Sequence, residues 1–517
     1  MTMDGDLLLT PFLSIALLLL PLYLISKHFH RKIKNHPPAP FLTLPVLGHL
    51  YLFKKPLHRA LASISDRYGP VLLLEFGSRK VLLVASPAAA EECLSKNDVV
   101  FANRPLLMAG KYLGYNYTSL AWAPYGDHWR TIRKIAATHV LSTHRVQSLR
   151  EIRADEVKSM LKKLLLVSGS GGPAEMKTVF FELTANVMMR MIAGKRYYGE
   201  NAVEAQEATR FREIVAETFR LGGATNVGDF VPALKVLMRR LESDLVELQQ
   251  KRDSFMQEMI KYCRNRMEKS TGSSDGESAG KTKPFVEVLL TLQEEDPEAY
   301  TDEIIKSLML VLLGAGTDTS AGTMEWGLSL LLNHPEVLAK AKKEIDDHVG
   351  HDRLIDESDL ANLSYLDHTI KETMRMYPVG PLLVPHESSA ECSVAGYRIP
   401  KGTMLMVNMY SIQRDSKYWN DPKEFKLERF EGAEGVTDGY KMMPFGSGRR
   451  GCPGEGLAWR MVGLSLGSLI QCFDWERIGD EIVDMREGTG LTMPKAEALV
   501  AKCKIRPFVP NLLLSLD

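Results

Sequence analysis

The stretch MPFGSGRRGCPG, Met443 to Gly454, constrains the architecture more than any other because it admits two incompatible readings. Gly446, Gly448 and Gly451 spell G-x-G-x-x-G, the fingerprint of a dinucleotide-binding turn. Such a turn needs a buried strand running into its first glycine and a helix opening among the glycines, so it would commit the chain to a parallel sheet covered by helices. Cys452 follows the last of these glycines directly, and a loop built to present a thiolate makes no such demand. The flanks do not suit the first reading. Gly439 to Phe445 reads GYKMMPF, a short charged segment ending beside a proline, which is poor material for a central strand. Beyond the glycines come Arg449, Arg450, Cys452 and Pro453, and an apolar helical pattern starts only near Gly456. An acidic residue, Asp474, does follow at about the distance a ribose partner would need, so the nucleotide reading stays open on that count.

The rest of the chain is patterned for helices. Apolar periodicities of helical spacing cover roughly residues 202–218, 237–268, 301–333, 335–349, 366–376 and 456–472, while strand-like stretches are few, chiefly 70–76 and 80–84. The fold class predicted is mainly α with small β-sheets. Residues 269–283 are rich in Gly and Ser and predict a mobile surface loop. With 517 residues, 45% of them hydrophobic, the chain can bury a large core. Its 64 basic residues are balanced by 64 acidic ones, which argues against a nucleic-acid partner. Six cysteines, at 93, 263, 392, 452, 472 and 503, form no C-x-x-C and no zinc-like cluster, so the chain reads as the product of a reducing compartment and not as a disulfide scaffold.

Leu7 to Ile25 is uncharged and leucine-rich, long enough for a thin bilayer. Asp4 and Asp6 precede it and Lys27, Arg31, Lys32 and Lys34 follow, the reverse of a cleaved signal peptide. The positive-inside rule then places the remainder of the chain in the cytosol. Pro37-Pro38-Ala39-Pro40 makes a stiff spacer. The predicted organisation is a transmembrane anchor over 1–26, a basic and Pro-rich linker over 27–40, and a catalytic domain over 41–517.

Four constellations carry candidate chemistry. Within an apolar helical run, Leu313-Gly314-Ala315-Gly316-Thr317-Asp318-Thr319-Ser320-Ala321-Gly322 holds three glycines that each cost about 1 kcal/mol against alanine, so either a neighbouring helix packs closely or something bulky lies against it. A Thr319 hydroxyl bonded back to the Ala315 carbonyl would open the helical ladder locally. Glu372 and Arg375 share a helix face, a pair worth little if solvated, but Arg429 in LERF could complete a buried ionic triad. Trp129 and Arg133 sit one helical turn apart and could clamp a carboxylate, though a core tryptophan is the plainer account. Cys452, finally, lies among glycines that let backbone approach a flat ligand, with Arg450 beside it. Such a loop suits a metal-bound thiolate, whereas a lone cysteine is usually inert.

These four occur in the order and at about the separations of the cytochromes P-450, and the chain resembles a plant endoplasmic-reticulum member of that family along its whole length. The most specific match is Phe445 to Gly454, FGSGRRGCPG, which is similar to the family's haem-binding loop at every defining position; Leu427 stands where the family often has proline. The resemblance implies a P-450 fold preceded by a single N-terminal transmembrane helix. It implies haem b, iron protoporphyrin IX, with Cys452 as metal ligand, Trp129, Arg133, His386 and Arg450 on the propionates, and Phe445 and Gly454 in the loop beneath the ring. Glu372, Arg375 and Arg429 would form the structural triad. Asp318 and Thr319 would relay protons in the activation of O2, with Ala315 and Gly316 leaving room for it. Electrons would come from NADPH through a separate NADPH-cytochrome P-450 reductase at the endoplasmic-reticulum membrane. AGTDTSAGTMEW (315–326) and EGTGLTMPKAEAL (487–499) look most like family eighty-one, whose members mostly oxidise phenolic natural products such as flavonoids, isoflavonoids, lignans and benzophenones. The small aromatic substrate would lie against Leu382, Leu383, Val384, Leu491 and Thr492. The function implied is a monooxygenase that hydroxylates or oxidatively couples such a compound. A haem-thiolate isomerase or dehydratase, a non-catalytic haem-binding protein and a nicotinamide dehydrogenase are the competing readings; the Asp318-Thr319 pair disfavours the first two.

Overall fold

The computed structural model describes the chain except for residues 1–3, 201, 203–204, 225, 273–281, 433–438 and 515–517. It is mainly helical with small sheets, and divides into two compact units, each discontinuous in sequence.

The first unit takes residues 1–105, 226–238 and 382–412. Its sheet runs in the order β1 (Val71–Phe76), β2 (Arg79–Val84), β4 (Met404–Val407), β3 (His386–Glu387), with β2 and β4 parallel and the other pairs antiparallel. The near-continuous apolar runs VLLLEF and VLLV explain the burial of these strands, since a strand covered on both faces has no polar alternation. At the β1–β2 turn a side chain has no room: a Cβ on Gly77 would lie 2.1 Å from the Phe230 carbonyl oxygen, and Gly77 has φ +57°. A single helix, α1 (Asp4–Ile33), occupies the N-terminus. It does not stop at the basic cluster. Lys27 and Arg31 lie on its last turns and donate to the two carboxylate oxygens of Glu75 on β1, at 2.9 and 3.1 Å. The residues read as a linker are therefore helical as far as Ile33, and the prolines that follow are held as well, Pro38 accepting from Leu73 N at 3.0 Å.

The second unit takes residues 106–225, 239–381 and 413–517. Its helices used below are α2 (Asp127–His139), α3 (Met176–Ala193), α4 (Ala205–Gly222), α5 (Arg239–Gly272), α6 (Asp302–Asn333), α7 (Ser364–Met376) and α8 (Glu455–Cys472). α6 is the central one, with nineteen of its 32 residues buried and α3, α7 and α8 packed on it. Thr301 caps its start by accepting from Ile304 N at 3.3 Å, and Asp302 and Glu303 in the first turn suit the positive end of the dipole. It ends at Asn333, before His334-Pro335, where the proline disfavours a helical residue ahead of it. Helical spacing anticipates most of these elements to within a few residues. It does not reveal α3, thirteen of whose eighteen residues are buried. α5 runs through Gly272, four residues into the expected Gly/Ser loop, and the rest of that loop up to residue 281 lies outside the described residues.

Candidate functional site

Among the described residues no strand leads into Gly446. The segment before it holds a single 3-10 turn, Gly439–Lys441, and a second one, Gly448–Arg450, lies within the loop, so the dinucleotide reading lacks both its strand and its helix start. Gly446 and Gly448 adopt φ of +70° and +69°, a region that strains any other residue. They fold the loop back so that Cys452 N donates to the Phe445 carbonyl at 2.8 Å. α8 begins at Glu455, which places the Cys452 sulfur at a helix N-terminus. Of the six cysteines, Cys452 is the exposed one; Cys392 is half-buried and the other four are buried. Exposed does not mean surrounded by water here. Enclosing protein raises the Cys452 thiol on balance, as does the Glu455 charge, while the N–H groups of Gly454 and Glu455 and the Arg133 charge oppose the rise. The sulfur is thus open to a ligand inside the protein and has thiolate-favouring groups aimed at it.

Two guanidiniums adjoin this loop. Arg133 on α2 donates to the Gly451 carbonyl at 2.8 Å. Arg450 donates to the carbonyls of Leu120 and Ala123, at 3.4 and 2.5 Å, and stacks 4.3 Å over the Trp129 ring. Burial, and then the Arg133 charge, push Arg450 down to about 10. Anionic carboxylates would relieve that repulsion. Trp129 departs from expectation: its indole N–H donates to the Leu120 carbonyl at 3.1 Å, so in this structure the ring supports Arg450 and the donor closes a backbone turn.

Midway along α6 the Thr319 hydroxyl donates to the Ala315 carbonyl at 2.6 Å, and the helix runs on to Asn333. Ala315 is exposed although Leu312, Leu313, Thr317 and Ser320 around it are buried. Gly316 matches the close-packing alternative. A Cβ there would lie 2.6 Å from Met188 Sδ, so the crossing of α3 accounts for this glycine. The open side is at Gly314, where a Cβ would meet nothing within 4 Å. Burial raises the Asp318 carboxyl, opposed by a hydrogen bond from Thr492 and by the charge of Lys177. Thr492 Oγ1 donates to Asp318 Oδ2 at 2.8 Å. That contact joins residues 174 positions apart, and no local pattern in the sequence could have suggested it.

Glu372, Arg375 and Arg429 come together. Arg375 makes a two-pronged contact to Glu372, Nε to Oε2 at 2.6 Å and Nη2 to Oε1 at 2.8 Å, with both side chains fully buried. Arg429 Nε reaches Oε1 at 3.1 Å from the turn Leu427–Phe430, so Leu427 leaves the triad intact. Remaining donors go to carbonyls, Arg375 Nη1 to Gln413 at 2.7 Å and Arg429 Nη1 to Asn420 at 2.8 Å.

His386 and Leu382 to Val384 belong to the first unit. His386 is buried at the start of β3, its Nδ1 2.8 Å from the Phe101 carbonyl. Leu382 packs against the apolar cluster of β1 and β2, Leu383 has φ +52°, and Val384 is half-exposed while its carbonyl accepts from Arg104 at 2.8 Å. In the second unit Leu491 is likewise half-exposed. Phe445 lies 6.0 Å from the ring of Trp459 on α8.

Residues 37–501 match the family model described as Cytochrome P450. The chain is 50% identical over 506 residues to "Cytochrome P450 81Q32" of Catharanthus roseus, covering 98% of each. It is 47% identical to the (+)-piperitol/(+)-sesamin synthase of Sesamum radiatum, over 92% of each chain, and 46% identical to the isoflavone 2'-hydroxylase of Medicago truncatula, over 93% of this chain and 94% of that one. Among solved structures, a zebra fish cytochrome P450 with progesterone superposes with a TM-score of 0.74 at 23% identity, covering 87% of this chain and 100% of that one, a likeness of fold.

Proposed function

The chain belongs to the cytochrome P450 family, within it to family 81 of the plant enzymes, and on that ground we propose that it hydroxylates or oxidatively couples a phenolic plant natural product of flavonoid, isoflavonoid, lignan or benzophenone type. As a family member it is a monooxygenase using haem b, O2 and reductase-derived electrons. The observation that carries the site assignment is Cys452, an exposed sulfur enclosed by protein at the head of α8 with an arginine pair beside it. Within the second unit these residues fit a haem: Cys452 as iron ligand, Arg133 and Arg450 for the propionates, and the exposed Ala315 as open helix surface. When bound, a thiolate-ligated haem supplies an oxidant able to attack an unactivated C–H bond.

The chain's own groups divide the remaining work. The N–H groups at the start of α8 hold the thiolate charge, and Trp129 keeps the Arg450 guanidinium in place. Asp318, a half-buried carboxyl with raised proton affinity, exchanges protons with the solvent side. Thr319 passes them on from Oγ1. Its single hydrogen is engaged by the Ala315 carbonyl, so it must release that oxygen to donate elsewhere. Thr319→Ala should retain haem and bind substrate, consume NADPH, and form severalfold less product per NADPH with matching peroxide release. An unchanged ratio with an authentic substrate would remove Thr319 from the relay. Incubation with a phenolic panel and the reductase, followed by product analysis, tests the substrate class; turnover of none of its four compound types would overturn it.

We place the enzyme in the endoplasmic-reticulum membrane, spanning it once, with residues 1–26 as anchor, 27–40 as connection and 41–517 as the cytosolic catalytic part, served by NADPH-cytochrome P-450 reductase. The uncharged run Leu7 to Ile25 and the cations after it support this. A chain beginning at His36 should bind haem and turn over, with less stability at neutral pH. It lacks Lys27 and Arg31, and although burial alone raises Glu75, those two cations hold it below its usual range. A depressed carboxyl stabilises the fold above its unfolded pKa and ceases to as the pH falls through the folded value. The difference in urea midpoint between the long and short chains should therefore shrink in acid; a constant difference would discount the Glu75 contacts.

A further inference from the structure

Thr492 sits midway along a turn whose two ends are held differently. At the base, Glu487 and Lys495 form a bridge, Gly488 N donates to the Pro494 carbonyl at 2.8 Å, and Met493 is fixed from both sides: its N–H donates to Val379 at 3.0 Å and its carbonyl accepts from Trp326 Nε1 at 2.9 Å. At the tip, Thr489, Gly490 and Leu491 are exposed. The tip rests on the chain just past α4. A Cβ on Gly223 would lie 2.6 Å from Leu491 N and 3.0 Å from Gly490 C, so backbone meets backbone there and only glycine permits it. Between this contact and the anchored base, the Thr492 hydroxyl gives its hydrogen to Asp318 Oδ2.

We propose that Thr492 is a positioning residue for Asp318, and that the contact of Gly223 with Leu491 sets its aim. The inference rests on the reading of Asp318 as proton carrier. A hydroxyl has one hydrogen to give. By spending it on Oδ2, Thr492 stabilises the charged carboxylate against its burial and fixes the carboxyl plane, leaving Oδ1 as the oxygen that exchanges a proton. The other charged group acting on Asp318 is Lys177 on α3. Lys177 acts through space, without a hydrogen bond to Asp318 among the described residues, so it favours ionisation without choosing an oxygen. Any shift of the tip of the turn, which carries the proposed substrate contact Leu491, moves Thr492 with it because the base cannot follow. A substrate seated against Leu491 thereby influences when the acid is ready.

The test compares Thr492→Val, which keeps the shape and removes the donor, Thr492→Ser, which restores it, and Gly223→Ala, which forces the tip away. The first readout is the infrared carbonyl band of Asp318, identified by its loss in Asp318→Asn and followed against pH in the haem-loaded protein. Thr492→Val should move that titration upward, because the charged form loses its hydrogen bond; Thr492→Ser should return it, and Gly223→Ala should move it in the same direction as Thr492→Val. The second readout is the kinetics. The kcat of Thr492→Val should fall by about three- to tenfold, the equivalent of one hydrogen bond, with KM little changed, whereas a residue serving only as pocket wall would alter KM. If Asp318→Asn turns over normally, the proton-carrier reading fails. If Asp318→Asn is impaired while Thr492→Val leaves the infrared titration and kcat where they were, the positioning role fails and the carrier reading survives. A titration in Gly223→Ala that stays at the parent position removes the α4 contact from the proposal.

Discussion

Replacing Cys452 by alanine should abolish the reduced carbon-monoxide band that marks thiolate ligation, while alanine at Cys93, Cys263, Cys392, Cys472 or Cys503 should leave it. The six thiols differ in what surrounds them. Burial pushes Cys472 up to about 12 and Cys263, Cys392 and Cys503 up to about 11, and Cys93 also rises well above its ordinary value. Cys93, Cys263, Cys472 and Cys503 are buried and Cys392 is half-buried, so none of the five offers the open face that Cys452 does. Cys452 is also raised by burial, but it faces two backbone N–H groups and the charge of Arg133, so a cation arriving at the sulfur finds an environment ready for the thiolate. Spectra of the six purified variants decide the matter. A normal band from Cys452→Ala would end the assignment, and loss of the band in any of the other five, if folded, would relocate it.

Removing the carboxylate of Glu372 should cost about 3–5 kcal/mol, the usual penalty for breaking a buried ion pair from one side. The size follows from what is left behind. Arg375 is fully buried and Arg429 nearly so, and both stay pinned by carbonyls after the carboxylate has gone. The two cations would then face each other without the anion between them. Glu372→Ala should accordingly lower the urea midpoint more than Arg429→Ala, which strands no cation. Lysine at 375 should not rescue Arg375→Ala, because it lacks the flat fork that makes two parallel bonds to Glu372. Unfolding by circular dichroism with haem content measured in parallel checks this; a Glu372→Ala midpoint equal to the parent's would mean that the triad contributes nothing net.

Part of the helical fold was legible because helices such as α4 and α7 bury one stripe, which leaves a period of 3.6 residues in the sequence. α6 and α8 were legible as long apolar runs although most of their residues are buried, and α3, just as buried as α8, was not. The loop around Cys452 was legible from its glycines, two of which take backbone angles that other residues avoid. The ionic triad was half legible: Glu372 and Arg375 share a helix face, but only the folded chain shows that Arg429 reaches them. Trp129 and Gly316 stood out in the sequence, but a donor or a missing side chain states a need without saying what fills it: here the Leu120 carbonyl meets the first and Met188 the second. The contact between Thr492 and Asp318 was invisible for a further reason: it depends on a turn anchored through Val379 and Trp326, from two other parts of the chain.

The order of segments in the four-stranded sheet governs how the chain can be made. β1 and β2 pair as a hairpin near the start, but the parallel neighbour of β2 is β4, with Val81 opposite Met404 and Val84 opposite Val407. A ribosome adding about 5–20 residues per second needs roughly 16–65 s to travel from one to the other. Throughout that interval the outer edge of β2, VLLV, has finished synthesis and has no strand beside it. A two-stranded ribbon is marginal by itself in water, and an apolar edge invites pairing with other chains. The nascent chain therefore passes through a long vulnerable period that the finished enzyme never revisits. Codon choice, growth temperature and chaperone supply should affect yield through that period, even where they leave the properties of the finished enzyme untouched.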